Sequence, residues 1–235
     1  NDMRINNPNL RVDPNLSDEN GCSLDLGYRG NLKGRLIFDV SAFYLNYKNR
    51  IGSIYMRDQN TFRVYRYRTN ISDSRNYGIE VYAEADVFKY LKINSKNYGV
   101  TWFLNGTVQE AQYVKSEEAA YQNKRVENVP NYILKTGINL NWKKLKLAYQ
   151  FSYTGEQFSD ATNTEYTPSA VIGIIPQYWV MDVSASYKVK SFRISGGLNN
   201  MTNNSYFTRR ADGYPGPGII PADKINFYAT VGVKF

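Results

Sequence analysis

Residues 225–235, INFYATVGVKF, decide the fold. Apolar residues occupy every second position of this segment, and the polar residues Asn226, Thr230 and Lys234 stand between them. Because successive side chains of a β-strand point to opposite faces, this pattern predicts a strand with one apolar and one polar face. In lipid, such a strand needs a hydrogen-bonded neighbour on both sides and a wet interior for its polar face. A closed β-barrel meets both requirements.

The same alternation recurs along the whole chain. It is found at residues 22–28, 36–44, 79–87, 100–108, 134–142, 145–153, 179–187 and 192–198. With the last segment this makes about nine strands, and each carries one apolar row. The sequence therefore predicts an all-β protein built from an antiparallel sheet.

The predicted connections alternate in length. Short ones fall at 30–34, 89–91, 142–145 and 188–191, and long ones fall near 49–75, 114–130, 159–175 and 203–223. Tight turns at one end and long loops at the other are typical of transmembrane β-barrels of the outer membrane, with the tight turns on the periplasmic side. Complete bacterial single-chain barrels have an even number of strands, so about nine strands indicate a portion of a larger barrel.

Composition restricts the classes of function. The mean hydropathy is −0.53 and no apolar run is long enough for a membrane helix, whereas a barrel strand needs only alternate apolar residues. The chain has no histidine and a single cysteine, so we expect no disulfide, metal centre, cofactor or Cys/His catalytic pair. The net charge of +8 is spread over loops and inner rows, which argues against nucleic-acid binding. A soluble, tyrosine-rich β-sandwich that binds carbohydrate remains an alternative, and it would bury the apolar rows in a dry core.

Several motifs resemble the C-terminal barrel of TonB-dependent receptors. They are NPNLRVDPNL at 7–16, LDLGYRG at 24–30, DVSAFYLNYKNRIG at 39–52, RNYGIEVYAEAD at 75–86 and GGLNNMTNNSYFTRR at 196–210. The last 30 residues, YFTRRADGYPGPGIIPADKINFYATVGVKF, are similar to the ferric dicitrate receptor branch of that family. The resemblance extends over nearly the whole chain.

The resemblance implies a barrel of about 22 strands in the outer membrane of a Gram-negative bacterium. In that family an N-terminal plug fills the barrel and engages TonB with its inner-membrane energising complex. Residues 1–235 would then be the C-terminal part of the barrel, without the plug and the N-terminal strands. The implied activity is transport and not catalysis: extracellular loops bind an iron(III) chelate, most similar to ferric dicitrate, with iron as cargo. Uptake of another nutrient, such as a glycan or cobalamin, is the alternative.

Two regions are candidate binding sites. The basic, aromatic hairpin at 49–75 carries Arg63, Arg66 and Arg68, whose guanidinium groups suit an anionic chelate. The alternative is adhesion to the phosphates of lipopolysaccharide, or solvated charge.

The second candidate site is the last long loop, where prolines stiffen the chain. It carries Tyr206, Arg209, Arg210 and Tyr214. Packing between loops is the alternative for these residues.

Two further features concern the barrel itself. Phe235 ends the last apolar row, and the resemblance implies that the barrel assembly machinery recognises such an end; an ordinary lipid-facing phenylalanine is the alternative. Glu80, Glu84 and Asp86 are expected to line a wet lumen and to pair with a plug, without a catalytic role.

Overall fold

A computed structural model describes residues 10–116, 119–168, 170–210 and 218–234. Its nine long strands are β2 (Asn20–Leu32), β3 (Leu36–Arg57), β4 (Val64–Asp86), β5 (Tyr98–Lys115), β6 (Tyr132–Trp142), β7 (Leu145–Thr154), β10 (Tyr178–Val189), β11 (Phe192–Asn199) and β14 (Asn226–Val233). The shorter elements are β1 (Leu10–Val12), α1 (Val87–Tyr90), β8 (Gln157–Phe158), β9 (Ile174–Ile175), β12 (Phe207–Arg210) and β13 (Ile219–Pro221).

The nine long strands form one antiparallel sheet in chain order, from β2 to β14. This confirms the predicted fold class and the estimate of about nine strands. β1 adds to β4 in parallel, and two pairs of short strands, β8 with β9 and β12 with β13, form small separate sheets. Among the described residues, β2 and β14 are the two edges of the main sheet and do not pair with each other. The sheet is thus an open part of a barrel wall.

The hydrogen-bonded register places the predicted apolar rows on one face. Tyr28 pairs with Val40, which pairs with Val81. Val183 lies opposite Tyr149 on one side and Leu198 on the other. Directly paired residues of an antiparallel sheet share a face, so these rows form one continuous apolar surface.

That apolar surface is open. Leu26 is 80% exposed and Phe227 is 83% exposed. Among the described residues no second large sheet covers it, so the soluble β-sandwich alternative is wrong. Within the same residues, no helix has the length and apolar character needed to cross a membrane.

The connections differ from the prediction at two places. Residues 49–75 do not form a loop: β3 continues to Arg57, and β4 begins at Val64, so a hairpin with a turn at residues 58–63 extends the sheet. The connection predicted at 89–91 spans residues 87–97 and contains α1, which Asp86 caps by accepting a hydrogen bond from the Lys89 amide at 3.0 Å. The four connections predicted as short nevertheless all lie at one end of the sheet.

The strands β3, β4 and β5 are much longer than a bilayer requires. β4 has 23 residues, whereas a tilted transmembrane strand needs about 9–11. The excess lies at the end with the long connections. There the three strands support the small buried core of the described chain, made of Ile71, Ala111, Tyr113 and Val126.

Candidate functional site

A β-bulge redirects the long hairpin where it leaves the regular sheet. The register of β3 against β4 shifts between Tyr47 and Ile51, and Asn49 has a left-handed backbone with φ of 56°. Asp73 accepts the Asn49 amide at 2.9 Å, and the Asn70 side chain donates to the Asn49 carbonyl at 2.6 Å. These contacts hold the bulge in one conformation, so the hairpin above it has a defined direction.

The hairpin has an aromatic face and a basic face. Tyr67 pairs with Ile54, which packs against the small buried core, so the tyrosines at 65 and 67 lie on that inner side. Arg66 and Arg68 alternate with these tyrosines and therefore lie on the outer side, where both are exposed. The structure thus separates the two arginines from the inner side, an arrangement that suits the lipopolysaccharide alternative.

The tip of the hairpin is organised by Asp58. Its carboxylate accepts the amides of Asn60 and Thr61, each at 3.0 Å, and it forms an ion pair with Arg11 at 2.6 Å. The Arg11 guanidinium also lies 4.1 Å from the centre of the Tyr65 ring. Hydrogen bonds from Thr61, then Arg11 and Asn60, hold the pKa of Asp58 well below its usual range. Arg63 stands exposed at the same turn.

A buried tyrosine anchors the connection at residues 116–131 to this hairpin. Tyr113 is completely buried, and its hydroxyl donates to Glu127 at 2.6 Å. Glu127 in turn forms an ion pair with Arg50 of β3 at 3.4 Å. Burial, with Glu127 beside it, raises the pKa of Tyr113 far above its ordinary value. The phenol therefore stays a neutral donor. Tyr113 and Glu127 were not chosen from the sequence as site residues, whereas Arg50 belongs to the basic hairpin at 49–75.

Hydrogen bonds join the connection at residues 116–131 to the next long connection, at residues 155–177. The Arg125 amide donates to Asn163 Oδ1 at 2.7 Å, and Asn163 Nδ2 donates back to the Arg125 carbonyl at 2.8 Å. The Arg125 guanidinium lies over the Phe158 ring at 5.5 Å. The described residues of the connections at 116–131 and 155–177 are consequently linked, and they are called here one layer.

Arg210 extends this layer to the last long connection. Its Nη2 donates to the Ile174 carbonyl at 2.8 Å, and its Nη1 donates to the Ala170 carbonyl. Burial lowers the pKa of Arg210, which remains charged at any physiological pH. These contacts give Arg210 a role in packing between loops, the alternative considered for it above. Direct ligand contact by Arg210 stays a prediction.

The neighbouring residues of the predicted site have different surroundings. Arg209 lies on the side of β12 opposite to Arg210 and is exposed. Tyr206 stacks on Tyr178, with ring centres 4.6 Å apart and an angle of 16° between the rings. Tyr214 and Phe235, the other two predicted functional residues, lie outside the described residues.

The inner face of the sheet is polar, as predicted. Asp25, Ser41, Glu80 and Asn105 are among the residues that line one shallow depression on it. Arg29 and Asp39 form an ion pair there at 2.7 Å. Glu84 accepts the Tyr82 hydroxyl at 2.8 Å, whereas Asp86 forms an ion pair with Lys89 at 3.3 Å in the turn. Glu80 and Glu84 therefore lie on the polar inner face, and Asp86, the last residue of β4, contacts the turn that follows.

Comparison with known proteins was made on sequence and on structure. The family model described as TonB dependent receptor-like, beta-barrel matches residues 1–201. A search of the curated proteins gives no match.

Solved structures share the fold. The ferric citrate transporter FecA in the unliganded form has a TM-score of 0.75 at 20% identity, and the match covers 91% of this chain and 31% of that one. The copper transporter OprC has a TM-score of 0.70 at 14% identity, with 96% of this chain and 33% of that chain covered. The ferric yersiniabactin uptake receptor FyuA from Yersinia pestis has a TM-score of 0.62 at 18% identity, with 91% and 29% covered. This chain spans about a third of the length of these solved proteins.

Proposed function

Because this chain belongs to the TonB-dependent receptor-like β-barrel family of the Gram-negative outer membrane, we propose that it forms part of a receptor that imports a ferric chelate. The extracellular connections bind the chelate, and energy from TonB and its inner-membrane complex drives uptake. Ferric dicitrate is the proposed ligand.

The observation that carries this proposal is the layer formed by the long connections. Asn163 joins residues 116–131 to residues 155–177, and Arg210 joins the latter to β12. Next to Arg210 in the chain, Arg209 is exposed to solvent, and Tyr206, three residues earlier, stacks on Tyr178. A guanidinium binds carboxylates with two parallel hydrogen bonds, and less ordering entropy is lost when the backbone that carries it is already held by neighbouring loops.

The choice of ferric dicitrate has two supports. The segment with Tyr206, Arg209 and Arg210 resembles the ferric dicitrate branch of the family, and a ferric citrate transporter shares the fold of this chain. Ferric dicitrate is anionic, so arginines at the extracellular mouth would also attract it over distance. Arg63 at the hairpin tip belongs to this proposed mouth, together with Tyr214.

The remaining partners belong to the same proposal. We infer that residues 1–235 are the C-terminal part of the barrel, and that a plug elsewhere in the protein contacts TonB. The outer face contacts lipid, and Arg66 and Arg68 contact lipopolysaccharide or the ligand. Phe235 is the proposed signal for the barrel assembly machinery.

The test is a binding titration of the protein purified from outer membranes in a non-ionic detergent. Isothermal calorimetry with ferric dicitrate should show saturable binding, and cobalamin, a glycan oligomer and free Cu²⁺ serve as competitors of other classes. Arg209→Ala should weaken ferric dicitrate binding by about tenfold or more, because it removes a charge-assisted hydrogen bond. Arg35→Ala, which changes an exposed arginine at the opposite end of the sheet, is the matched control.

The hairpin arginines need a separate comparison. A triple variant with alanine at Arg63, Arg66 and Arg68 separates the two interpretations of these residues. Weaker ferric dicitrate binding would place them in the ligand site. Loss of co-purified lipopolysaccharide with unchanged ferric dicitrate binding would assign them to the membrane surface. A protein that binds cobalamin or a glycan and not ferric dicitrate would contradict the proposed ligand.

A further inference from the structure

A lysine has a left-handed backbone in each of the connections at 33–35, 87–97, 143–144 and 190–191, called here the short connections, and Gly34 shares that conformation in the first of them. The lysines are Lys33 with φ of 53°, Lys92 with 58°, Lys143 with 53° and Lys190 with 49°. A positive φ is uncommon for residues other than glycine, and asparagine is several-fold enriched among the exceptions. The repeated choice of lysine therefore needs a reason apart from backbone conformation.

The opposite end of the sheet shows that asparagine meets the same backbone requirement in this protein. Glycine aside, eight described residues there have a left-handed backbone: six are asparagines, and the other two are Phe62 and Ala170. The asparagines are Asn49, Asn123, Asn128, Asn163, Asn200 and Asn203. Because lysine is positively charged and asparagine is neutral, the left-handed positions at the two ends of the sheet differ in charge.

The short connections are uniformly basic. Residues 33–35, 87–97, 143–144 and 190–191 contain no aspartate or glutamate, although Asp86, the last residue of β4, pairs with Lys89 beside them. Their eight basic residues are Lys33, Arg35, Lys89, Lys92, Lys96, Lys143, Lys144 and Lys190. This end of the barrel wall therefore carries a concentrated positive charge.

One pair of lysines, Lys143 and Lys144, borders an apolar groove. Trp142, Leu145 and Tyr187 line the groove together with Lys143 and Lys144. Trp142 is 61% exposed and lies edge-on to Tyr98, with ring centres 6.1 Å apart. Trp142, Leu145 and Tyr187 are adjacent in the register, so the groove continues the apolar surface of the barrel.

The backbone around these lysines is held by the connection at 87–97 on one side and by strand β10 on the other. The Lys143 amide donates to the Asn97 carbonyl at 2.6 Å, and the Lys188 amide donates to the Lys144 carbonyl at 3.1 Å. Hydrogen bonds from both sides therefore fix the backbone of this turn. The position of the two lysines above the groove is built into the fold.

We propose that this groove binds a negatively charged phospholipid of the periplasmic leaflet. The phosphate-bearing headgroup lies against Lys143 and Lys144, and an acyl chain lies along Trp142, Leu145 and Tyr187. Short turns of such barrels are periplasmic, aromatic rings favour the membrane interface, and lysines near a bilayer surface attract anionic lipids. The site is independent of the ligand proposed for the extracellular end.

The experiment is native mass spectrometry of the protein purified from outer membranes. It is titrated with phosphatidylglycerol or with phosphatidylethanolamine of the same acyl chains, and the dissociation constant of each is measured. We expect tighter binding of phosphatidylglycerol. In the double variant Lys143→Gln/Lys144→Gln that binding should weaken by about fivefold for each lysine removed, while phosphatidylethanolamine binding stays the same.

Three control variants make the result specific. Lys48→Gln, at the end with the long connections, should keep the preference for phosphatidylglycerol, and so should Lys143→Arg/Lys144→Arg. Trp142→Ala retains both charges and should weaken the binding of both lipids, which tests the groove even if the glutamine variant does not fold. Equal affinity of the parent protein for the two lipids would overturn the proposal. A preference that survives in the folded glutamine variant would also overturn it, because the anionic lipid would then bind elsewhere.

Discussion

At the scale of single residues, Asp58 shows how one carboxylate can order an exposed hairpin. Its carboxylate accepts hydrogen bonds from the amides of Asn60 and Thr61 and forms an ion pair with Arg11. The Arg11 guanidinium in turn lies over the ring of Tyr65. Hydrogen bonding to the charged form of a carboxylate stabilises that form and lowers its pKa. The order of the tip therefore depends on an ionised Asp58.

This dependence predicts a response to pH. A carboxyl group whose pKa is lowered by folding stabilises the folded tip above its ordinary pKa of 3.8, and this contribution is lost as the pH falls below that value. The amide resonance of Thr61, observed with ¹⁵N-threonine labelling, should shift with a midpoint below 3.8. Asp58→Asn should remove the titration. A midpoint at or above the ordinary value would contradict the assigned role.

At the scale of the element, the centre of β6 depends on a glycine. A methyl group on Gly137 would overlap the Tyr149 carbonyl oxygen and the Phe103 ring. The carbonyl belongs to the hydrogen-bonded register between β6 and β7, so it has no freedom to move away. Phe103 covers the space that the absent side chain leaves on the inner face.

Gly137→Ala should therefore destabilise the protein by about 1–3 kcal/mol, the usual cost of overpacking a closely packed site. Gly99→Ala is the matched control, because it lies on the same face of the adjacent strand and its added methyl group would have Asn141 as its nearest neighbour, at 3.8 Å. That control should be neutral or slightly stabilising. Urea-induced unfolding in lipid vesicles measures both variants. Equal effects would show that the close contact at Gly137 has no energetic importance.

At the scale of the whole molecule, one face of the sheet is suited to contact lipid and the other is suited to contact water. One face is the continuous apolar surface that includes Val40 and Val81, and the other carries Ser41, Glu80 and the Arg29–Asp39 ion pair. A charge on the lipid-facing side of a barrel is costly near the middle of the bilayer, whereas the lumen is wet.

Val81→Arg should accordingly destabilise the membrane-inserted protein by about 2–4 kcal/mol. Ser41→Arg introduces the same side chain on the inner face, close to Glu80, and should have little effect. The amounts of heat-modifiable protein in the outer-membrane fraction, and unfolding in lipid vesicles, report the difference. If Ser41→Arg were the more damaging variant, the assignment of the two faces would be reversed.

How far the sequence predicts this protein depends on the range of the interaction. The alternation of residues 225–235 and of the other apolar rows depends only on the period of two within a strand. Those rows were predicted from the sequence, and the register confirms them because it places each row beside the next. The basic character of the short connections is also visible in the sequence, at Lys143 and Lys144 for example.

The extracellular end was decided by the tertiary structure. Arg50, Tyr113 and Glu127 meet although 77 positions separate Arg50 from Glu127, and no local pattern marks such a contact. Residues 49–75 were predicted as a long connection that forms a basic, aromatic hairpin, and in the structure β3 and β4 continue so far into this range that only residues 58–63 connect them, since hydrogen bonding between the two strands extends beyond the bilayer. Tertiary contacts also explain why Arg209 and Arg210 differ. Neighbouring positions on β12 point in opposite directions, and only the presence of the Ile174 carbonyl on one side makes Arg210 a link between loops while Arg209 remains exposed.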